Sequence, residues 1–537
     1  MIEKSVANWT SGYVAEIDYT YGYYPELNPI HMAYALVHAG QRVEPSEPVR
    51  YLELGYGQGL SLNIHAAASL TQCWGTDFNP AQVAGAAAMA RHSGAPLTLM
   101  DASFEELLGR PDLPRFDIVA LHGVWSWISD ENRQHIVKLL THHLTPGGIC
   151  YLSYNCTPGW SAAIPLRHLL SLHAKLAEGD SAGIVAKIDG ALQFAQKMVA
   201  SEALFFRNNP SVVARLQQIA GQNRHYLAHE YFNADWHPMP FSDVAQWLED
   251  AKLGFGASAH LLDQIEGIHL SPDSIHMLAE QSHPVLRETM RDYLVNQQFR
   301  RDLFVKGPRR MSLSERHAKL LQLRFVLLQP VHSITLAVQG ALGEARLQTS
   351  IYEPLLAALE QFDVRSRSET YCATPSLQEL IAVVSQTAPE VNASQLVQAV
   401  TLLVGQGCVA VAQAVEVRVQ VQQRCDRLND WITARALENG EITYLASSVT
   451  GGGVAVTRFE QLFMNAAKQH LDDPYRQAHW VCSRLADQGQ QLVKAGRPLA
   501  ENHEVLSELT RQALEFAADR QSRLHRLGVR VSMTESA

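Results

Sequence analysis

From Tyr51 to Trp160 the chain alternates short apolar runs with longer stretches in which apolar residues recur every three or four positions. Such alternation predicts strands separated by helices, and so an α/β sheet with helices packed on it. Tyr51–Leu54 reads as a first buried strand, apolar apart from Glu53. Cys73–Thr76 is a second, Leu97–Met100 a third and Phe116–Leu121 a fourth. The Gly147-Gly148 turn opens a fifth that runs to Asn155. Leu60–Leu70 reads as a helix. Asn79-Pro80 begins another, with asparagine as cap and proline at the first helical position. Helical spacing then holds from Ile164 to Gly221, too long for a simple connection, which predicts an insertion over the sheet's binding edge. Phe241–Lys252 is an amphipathic helix, and Leu253-Gly254-Phe255-Gly256 leads into a sixth strand.

Polar groups sit at the C-terminal ends of these strands, the edge where open α/β sheets bind ligands. Gly55, Gly57 and Gly59 follow the first strand at alternate positions. A dinucleotide fingerprint wants its third glycine one residue later, where Leu60 stands. Asp77 ends the second strand, where such a fold places its acceptor for ribose hydroxyls, and Phe78 beside it is placed to lie against the adenine. The run Glu53-Leu-Gly55-Tyr-Gly57-Gln-Gly59 resembles the Glu-x-Gly-x-Gly-x-Gly pattern of class I methyltransferases that bind S-adenosylmethionine. The resemblance implies a Rossmann-like sheet, with S-adenosyl-L-methionine as cofactor and S-adenosyl-L-homocysteine as product. It also implies cofactor contacts from Glu53, the three glycines, Asp77 and Phe78, from Asp101-Ala102-Ser103 at the third strand end, and from His122 at the fourth. In that family an acid at the position of Asp101 accepts from the adenine amino group.

Tyr13, Tyr19, Tyr21, Tyr23 and Tyr24 crowd the segment before the sheet. Either they cover the cofactor, with Tyr21 in contact with it, or they pack half-buried at the sheet edge, since amphipathic aromatics suit both roles. His122-Gly-Val-Trp125, Tyr154-Asn155 and Trp160 lie at or just past strand ends and are expected to bound the acceptor's entry. Tyr226–Asn233 is an aromatic run holding His229-Glu230. These two, with Tyr154 and Asn155, are the catalytic candidates, and Tyr231 joins Trp125 and Trp160 as a pocket wall. His229-Glu230 serves either to position or deprotonate a nucleophile or to brace the insertion as a satisfied polar pair. No metal is expected: His-Glu-x-x-His fails because residue 233 is Asn.

Three stretches carry a closer resemblance. They are Tyr-Leu-Ala-His-Glu-Tyr-Phe-Asn at 226–233, Ser-Tyr-Asn-Cys-Thr-Pro-Gly-Trp at 153–160 and Asp-Tyr-Leu-Val-Asn-Gln-Gln-Phe-Arg-Arg at 292–301, with Ala-Ser-Ser-Val-Thr-Gly at 446–451 as a weaker fourth. Together they resemble the bacterial methyltransferases with a methyltransferase regulatory domain, whose best-known members are rickettsial lysine methyltransferases acting on outer-membrane protein. The family's C-terminal region has a winged-helix-like element, and here Pro375–Ala412 reads as helix, turn, helix, strand. DNA binding does not follow, because Ser376–Ala412 contains no Lys or Arg to hold phosphate or read bases. Gly451-Gly452-Gly453 lacks the Lys-Ser/Thr of a phosphate loop. Arg300, Arg301, Lys306, Arg309 and Arg310 read as a solvated helix end and linker. The expected organisation is a cap at 1–48, a cofactor domain at 49–162 and 223–275, a helical insertion at 163–222, a middle domain at 276–370 and a mixed α+β, winged-helix-like domain at 371–537, frayed over Val529–Ala537.

At 537 residues the chain is far too long for one core. Its net charge of -10 disfavours nucleic acid and anionic membrane surfaces as partners. Seven cysteines without paired spacing suggest reduced thiols, and the start lacks a signal-peptide design, so a cytoplasmic protein without membrane insertion is expected. A homodimer is allowed. Three activities fit. The first is methyl transfer to a protein side chain, lysine by resemblance; the second, transfer to a small molecule; the third, a non-catalytic cofactor-binding scaffold that engages other proteins.

Overall fold

The computed structural model describes residues 20–177, 183–233, 235–366, 369–494, 496–499 and 501–531. Tyr13 and Tyr19 of the tyrosine-rich segment, and the end of the expected frayed tail, lie outside them. The centre is one sheet of seven strands: β1 Arg50–Leu54, β2 Gln72–Asp77, β3 Leu97–Asp101, β4 Phe116–Leu121, β5 Leu144–Asn155, β6 Leu253–Ser258 and β7 Phe299–Lys306. Their order is β3-β2-β1-β4-β5-β7-β6. The first five run parallel, and β7 lies antiparallel between β5 and β6. This is the Rossmann-like methyltransferase sheet that the sequence predicts. Strand β4 is buried at every position, as a strand covered on both faces must be.

Helices α1 Pro29–His38, α2 Leu60–Ala68, α3 Pro80–Ser93, α4 Phe104–Leu108 and α5 Asp130–His143 flank the parallel strands. The cap of α3 is as read: Asn79 accepts from the Ala81 amide, with Pro80 opening the helix. The insertion forms α6 Ile164–Leu176, α7 Ile184–Ala200, α8 Leu204–Asn208, α9 Pro210–Ala220 and α10 Arg224–Tyr231. These share a separate core that includes Leu166, Leu192, Leu216, Leu227 and Tyr231. Helix α10, expected within the cofactor domain, therefore packs with the insertion. Helix α11, Phe241–Glu249, then returns the chain to the sheet.

The basic run at 300–310 is not a solvated helix end. It contains most of β7, so the boundary expected at 275/276 falls before the last strand of the sheet. Arg300 is buried in an acidic nest, 2.5 Å from Asp292, 2.7 Å from Asp302 and 2.9 Å from Glu288. Lys306 donates to the carbonyls of Leu140, Thr141 and Leu144 at the C-terminus of α5, where a cation satisfies orphan acceptors and the helix dipole together.

After the sheet comes a second half rich in helices and two-stranded sheets. The expected helix, turn, helix, strand is present as Leu377–Thr387, Ala393–Gly405 and Val409–Ala412. Its strand pairs antiparallel with Arg324–Leu327 rather than forming a hairpin of its own. The long helix Val415–Arg435 lies against α2 and α3. Gln413 donates to the Ala68 carbonyl and Arg424 to that of Ser69, both at 2.8 Å. Among the described residues the cysteines are all free, and no helix is long and apolar enough to cross a membrane.

Removing Arg300 would leave buried carboxylates without their cation, a defect worth about 3–5 kcal/mol in buried pairs. Arg300→Met is expected to lower the midpoint of urea unfolding accordingly, and a loss below about 1 kcal/mol would show that the nest is not a net stabiliser.

Candidate active site

The C-terminal ends of β1, β2 and β4 open into a cleft of about 240 Å3. Its floor is the turn after β1. Gly55 and Gly59 both have φ of +69°, where only glycine sits without strain. Neither has room for a side chain: a Cβ on Gly55 would stand 2.7 Å from Val124, and one on Gly59 2.7 Å from Ala86. The turn is tied to the next strand by Asp77, whose carboxylate accepts from the Gly57 amide at 2.9 Å and the Asn79 amide at 3.0 Å. Turned with its nitrogen inward, the Gln82 amide stands 3.1 Å from both Asp77 oxygens.

Two acids meet in this floor, and burial governs both. It pushes the Glu53 carboxyl up to about 8, against a hydrogen bond from the Tyr51 hydroxyl and with help from Asp77. Burial likewise pushes Asp77 up to about 6, opposed by the backbone amides it accepts from. A cation or a pair of hydroxyl donors placed here would favour their ionised forms.

Phe78, Ala102, Ser103 and Phe104 make one side wall. Opposite stand His122, Val124, Trp127, Ile128 and Asn132. His122 is neutral, since burial lowers it to about 4. Its Nδ1 lies 2.9 Å from the Tyr151 hydroxyl, and Tyr24 packs on its ring with centroids 3.7 Å apart. The insertion supplies the roof with His229, Glu230, Asn233 and Asp235. Burial pushes Glu230 up to about 7, against the pull of Arg167 and Arg215.

Of the residues singled out from sequence, the cleft gathers Glu53, Gly55, Gly57, Gly59, Asp77, Phe78, Ala102, Ser103, His122, His229 and Glu230. The others are not among its lining residues. Asp101 is exposed at the end of β3. Tyr21 packs against the main core, and the cleft is lined instead by its neighbours Thr20, Gly22 and Tyr24. Tyr154 points away, buried, donating to Asp302 at 2.9 Å. Asn155 accepts from the Trp160 indole at 3.0 Å. Trp160 belongs to the insertion's core, with the Arg215 guanidinium 3.9 Å from its ring centroid. Tyr231 packs there too and accepts from Arg215 at 3.0 Å. Trp125 is wholly buried beneath the cleft, and Trp127 faces it instead.

The parity of β5 explains part of this. Side chains alternate along a strand, so Tyr151 and Ser153 face the His122 side while Tyr154 faces the Arg300 nest. Counting back two positions from Ser153 would have found Tyr151 as the partner of His122. For Thr20, Trp127, Asn132 and Asp235 the sequence carries no comparable signal.

A turn that excludes side chains, followed by an acid at the end of the second strand, fits a nucleoside bound along the edge of a Rossmann-like sheet. Family models agree: "Methyltransferase domain" matches residues 52–148, and "Predicted methyltransferase regulatory domain" matches 223–306, which closes at the end of β7. Fold and site thus define an S-adenosylmethionine-dependent methyltransferase.

The protein sll1526 of Synechocystis is 37% identical over 97% of this chain and 99% of its own length. RP789 of Rickettsia prowazekii is 24% identical over 54% of this chain and 51% of its own. The structure of PKMT2 from Rickettsia typhi in complex with AdoHcy superposes with a TM-score of 0.65 at 14% identity, covering 94% of this chain and 99% of that one. The chain belongs to the family of class I methyltransferases that carry the methyltransferase regulatory domain.

Carboxylates raised by burial are protonated below their pKa and become charged, acceptor-only groups, and so stronger acceptors, above it. Affinity for S-adenosylhomocysteine, measured by calorimetry, is therefore expected to rise as pH passes upward through about 6, where Asp77 ionises. Asp77→Asn should remove that step and weaken binding. An unchanged pH profile in the variant would contradict the role of Asp77.

Proposed function

We propose that this enzyme methylates a protein amine, a lysine side chain. The observation that supports this reading most is the acidic make-up of the cleft. Glu53, Asp77, Glu230 and Asp235 line it, and among the described residues that do so there is no Lys or Arg. A cationic cofactor and a cationic acceptor both suit such walls. The long second half and the likeness to PKMT2 favour a macromolecular acceptor over a small one.

The residues divide the work. The glycine turn, Asp77 and Glu53 hold the nucleoside and amino-acid ends of the cofactor, with Phe78 and Ala102 against the base. When bound, S-adenosylmethionine supplies a methyl group on a positively charged sulfur. Trp127 and Ile128 take the aliphatic stem of the acceptor, and their apolar surface favours the neutral amine. An ammonium has no lone pair, so a proton must leave before nitrogen can bond to the methyl carbon. Glu230 takes that proton, and its pKa of about 7 suits a general base at neutral pH. His229 and Asn233 hold the roof around it. Apart from the proton, the protein's work is alignment and exclusion of water.

The test is transfer of label from methyl-labelled S-adenosylmethionine into lysate, with precipitated and soluble fractions counted separately and Asp77→Ala as blank. Label recovered as methylated lysine from precipitated protein is the expected result, and label confined to the soluble fraction would contradict it. Once an acceptor is in hand, the rate is expected to rise with pH through about 7 as Glu230 ionises. Glu230→Gln should lose about 10²- to 10⁴-fold in kcat and the inflection with it; a variant that keeps the inflection would assign the proton to another group.

A further inference from the structure

The triple glycine of the second half is not a phosphate loop, yet each of its members is held at van der Waals distance from the N-terminal segment. A Cβ on Gly451 would stand 2.6 Å from Ile30, and one on Gly453 3.0 Å from the Tyr23 ring. On Gly452 it would collide with the Tyr23 hydroxyl and stand 2.5 Å from the Asn28 amide. Tyr23 cannot swing clear. It is buried, with the Tyr444 ring 5.0 Å away and the His65 ring 5.7 Å away. Asn28 is committed as well: it caps α1 by accepting from the Ile30 amide and donates to the Thr450 carbonyl at 3.3 Å.

Tyr23 is followed at once by Tyr24, which lines the cleft and packs on His122. The segment from Gly22 to Asn28 is thus a strap with a cavity on either side. The cofactor cleft lies in front. Behind is a second cavity of about 330 Å3, bounded by Tyr23, Glu26, His31, His260, Gln406 and Tyr444 among others. A strap with space on both sides is held by discrete contacts. Ser61 of α2 bonds both the Tyr24 amide and the Gly22 carbonyl. Arg301 of β7 pairs with Glu26 at 2.9 Å. From the second half of the chain the strap is met by the hairpin of strands Tyr444–Ser447 and Gly452–Ala455, through its glycine run and the Tyr444 ring.

We infer that the hairpin Gly451-Gly452-Gly453 acts as a positioning element for the methyltransferase cleft: close backbone packing against Tyr23 and Asn28 sets the place of Tyr24 over His122. The inference rests on reading the cleft as the cofactor site. It gives the glycine run a function that its sequence alone does not suggest, and it makes the second half part of the active site without lending it a side chain.

The experiment is a double-mutant cycle on the full chain, read as the dissociation constant of S-adenosylhomocysteine by calorimetry. Tyr24→Ala removes an aromatic contact and is expected to weaken binding about tenfold. Gly452→Ala is expected to weaken it by a similar factor, and Gly453→Ala, a milder intrusion, by less. The double variant Gly452→Ala/Tyr24→Ala should bind as Tyr24→Ala does, within about twofold, because the hairpin acts only through that ring. Val481→Ala, in the buried face of the helix Pro474–Asp487 away from the strap, should lower thermal stability and leave affinity unchanged. Additive losses in the double variant, wild-type affinity in Gly452→Ala, or equal weakening by Val481→Ala at matched stability loss would each overturn the inference. Failure of the wild-type chain to bind S-adenosylhomocysteine would instead overturn the reading of the cleft itself.

Discussion

Helix α2 is buried at every one of its residues, Leu60 to Ala68. An ordinary helix on the face of an α/β sheet keeps a polar stripe in water. Here that stripe is covered by the helix Val415–Arg435 and by the hairpin near residue 450. The polar residues left inside are put to use or neutralised. Ser61 holds the N-terminal strap, Asn63 donates to the Gly59 carbonyl at 2.9 Å and so braces the glycine turn, and burial lowers His65 to about 3, so it carries no charge. Because α2 begins at the cofactor turn, whatever packs on its far side also fixes the near side of the cleft. The cofactor half and the second half are therefore one mechanical unit.

Charge follows the same logic. Two cations of β7 serve structure, Arg300 within its carboxylate nest and Lys306 on the end of α5. The acids Glu53, Asp77 and Glu230 are left facing the cleft. Burial raises their pKa values, and a positively charged ligand in the cleft would draw them back toward their ionised forms. Among the described residues no group of His, Cys, Asp and Glu is placed to hold a metal ion.

The sheet is readable because β1 to β5 carry apolar runs, four of them closing on glycine, acid or histidine and the fifth on Asn155. Strand β7 was not, since Arg300, Arg301 and Asp302 look like a solvated helix end until their partners from β5 and the helix Pro284–Val295 are known. The same holds within the site. Glu53, the glycines and Asp77 are tied to local motifs and line the cleft. Tyr154 and Trp125 were misplaced by a pleat and by a turn of 3₁₀ helix, each a matter of one or two residues. Thr20, Trp127 and Asp235 come to the cleft through tertiary contacts for which the sequence offers no period or spacing. The glycine triplet shows the same limit from the other side: its tight packing partner lies over 400 residues away, and only the fold brings them together.

The most direct measurement of this unity is amide hydrogen exchange on the full chain with and without S-adenosylhomocysteine. Slower exchange is expected at the glycine turn and the end of β2, and also in the strap from Gly22 to Asn28 and the hairpin around Gly452, which touches no ligand. Protection confined to the turn and β2, with the hairpin exchanging at its unliganded rate, would contradict the claim that the second half belongs to the active site.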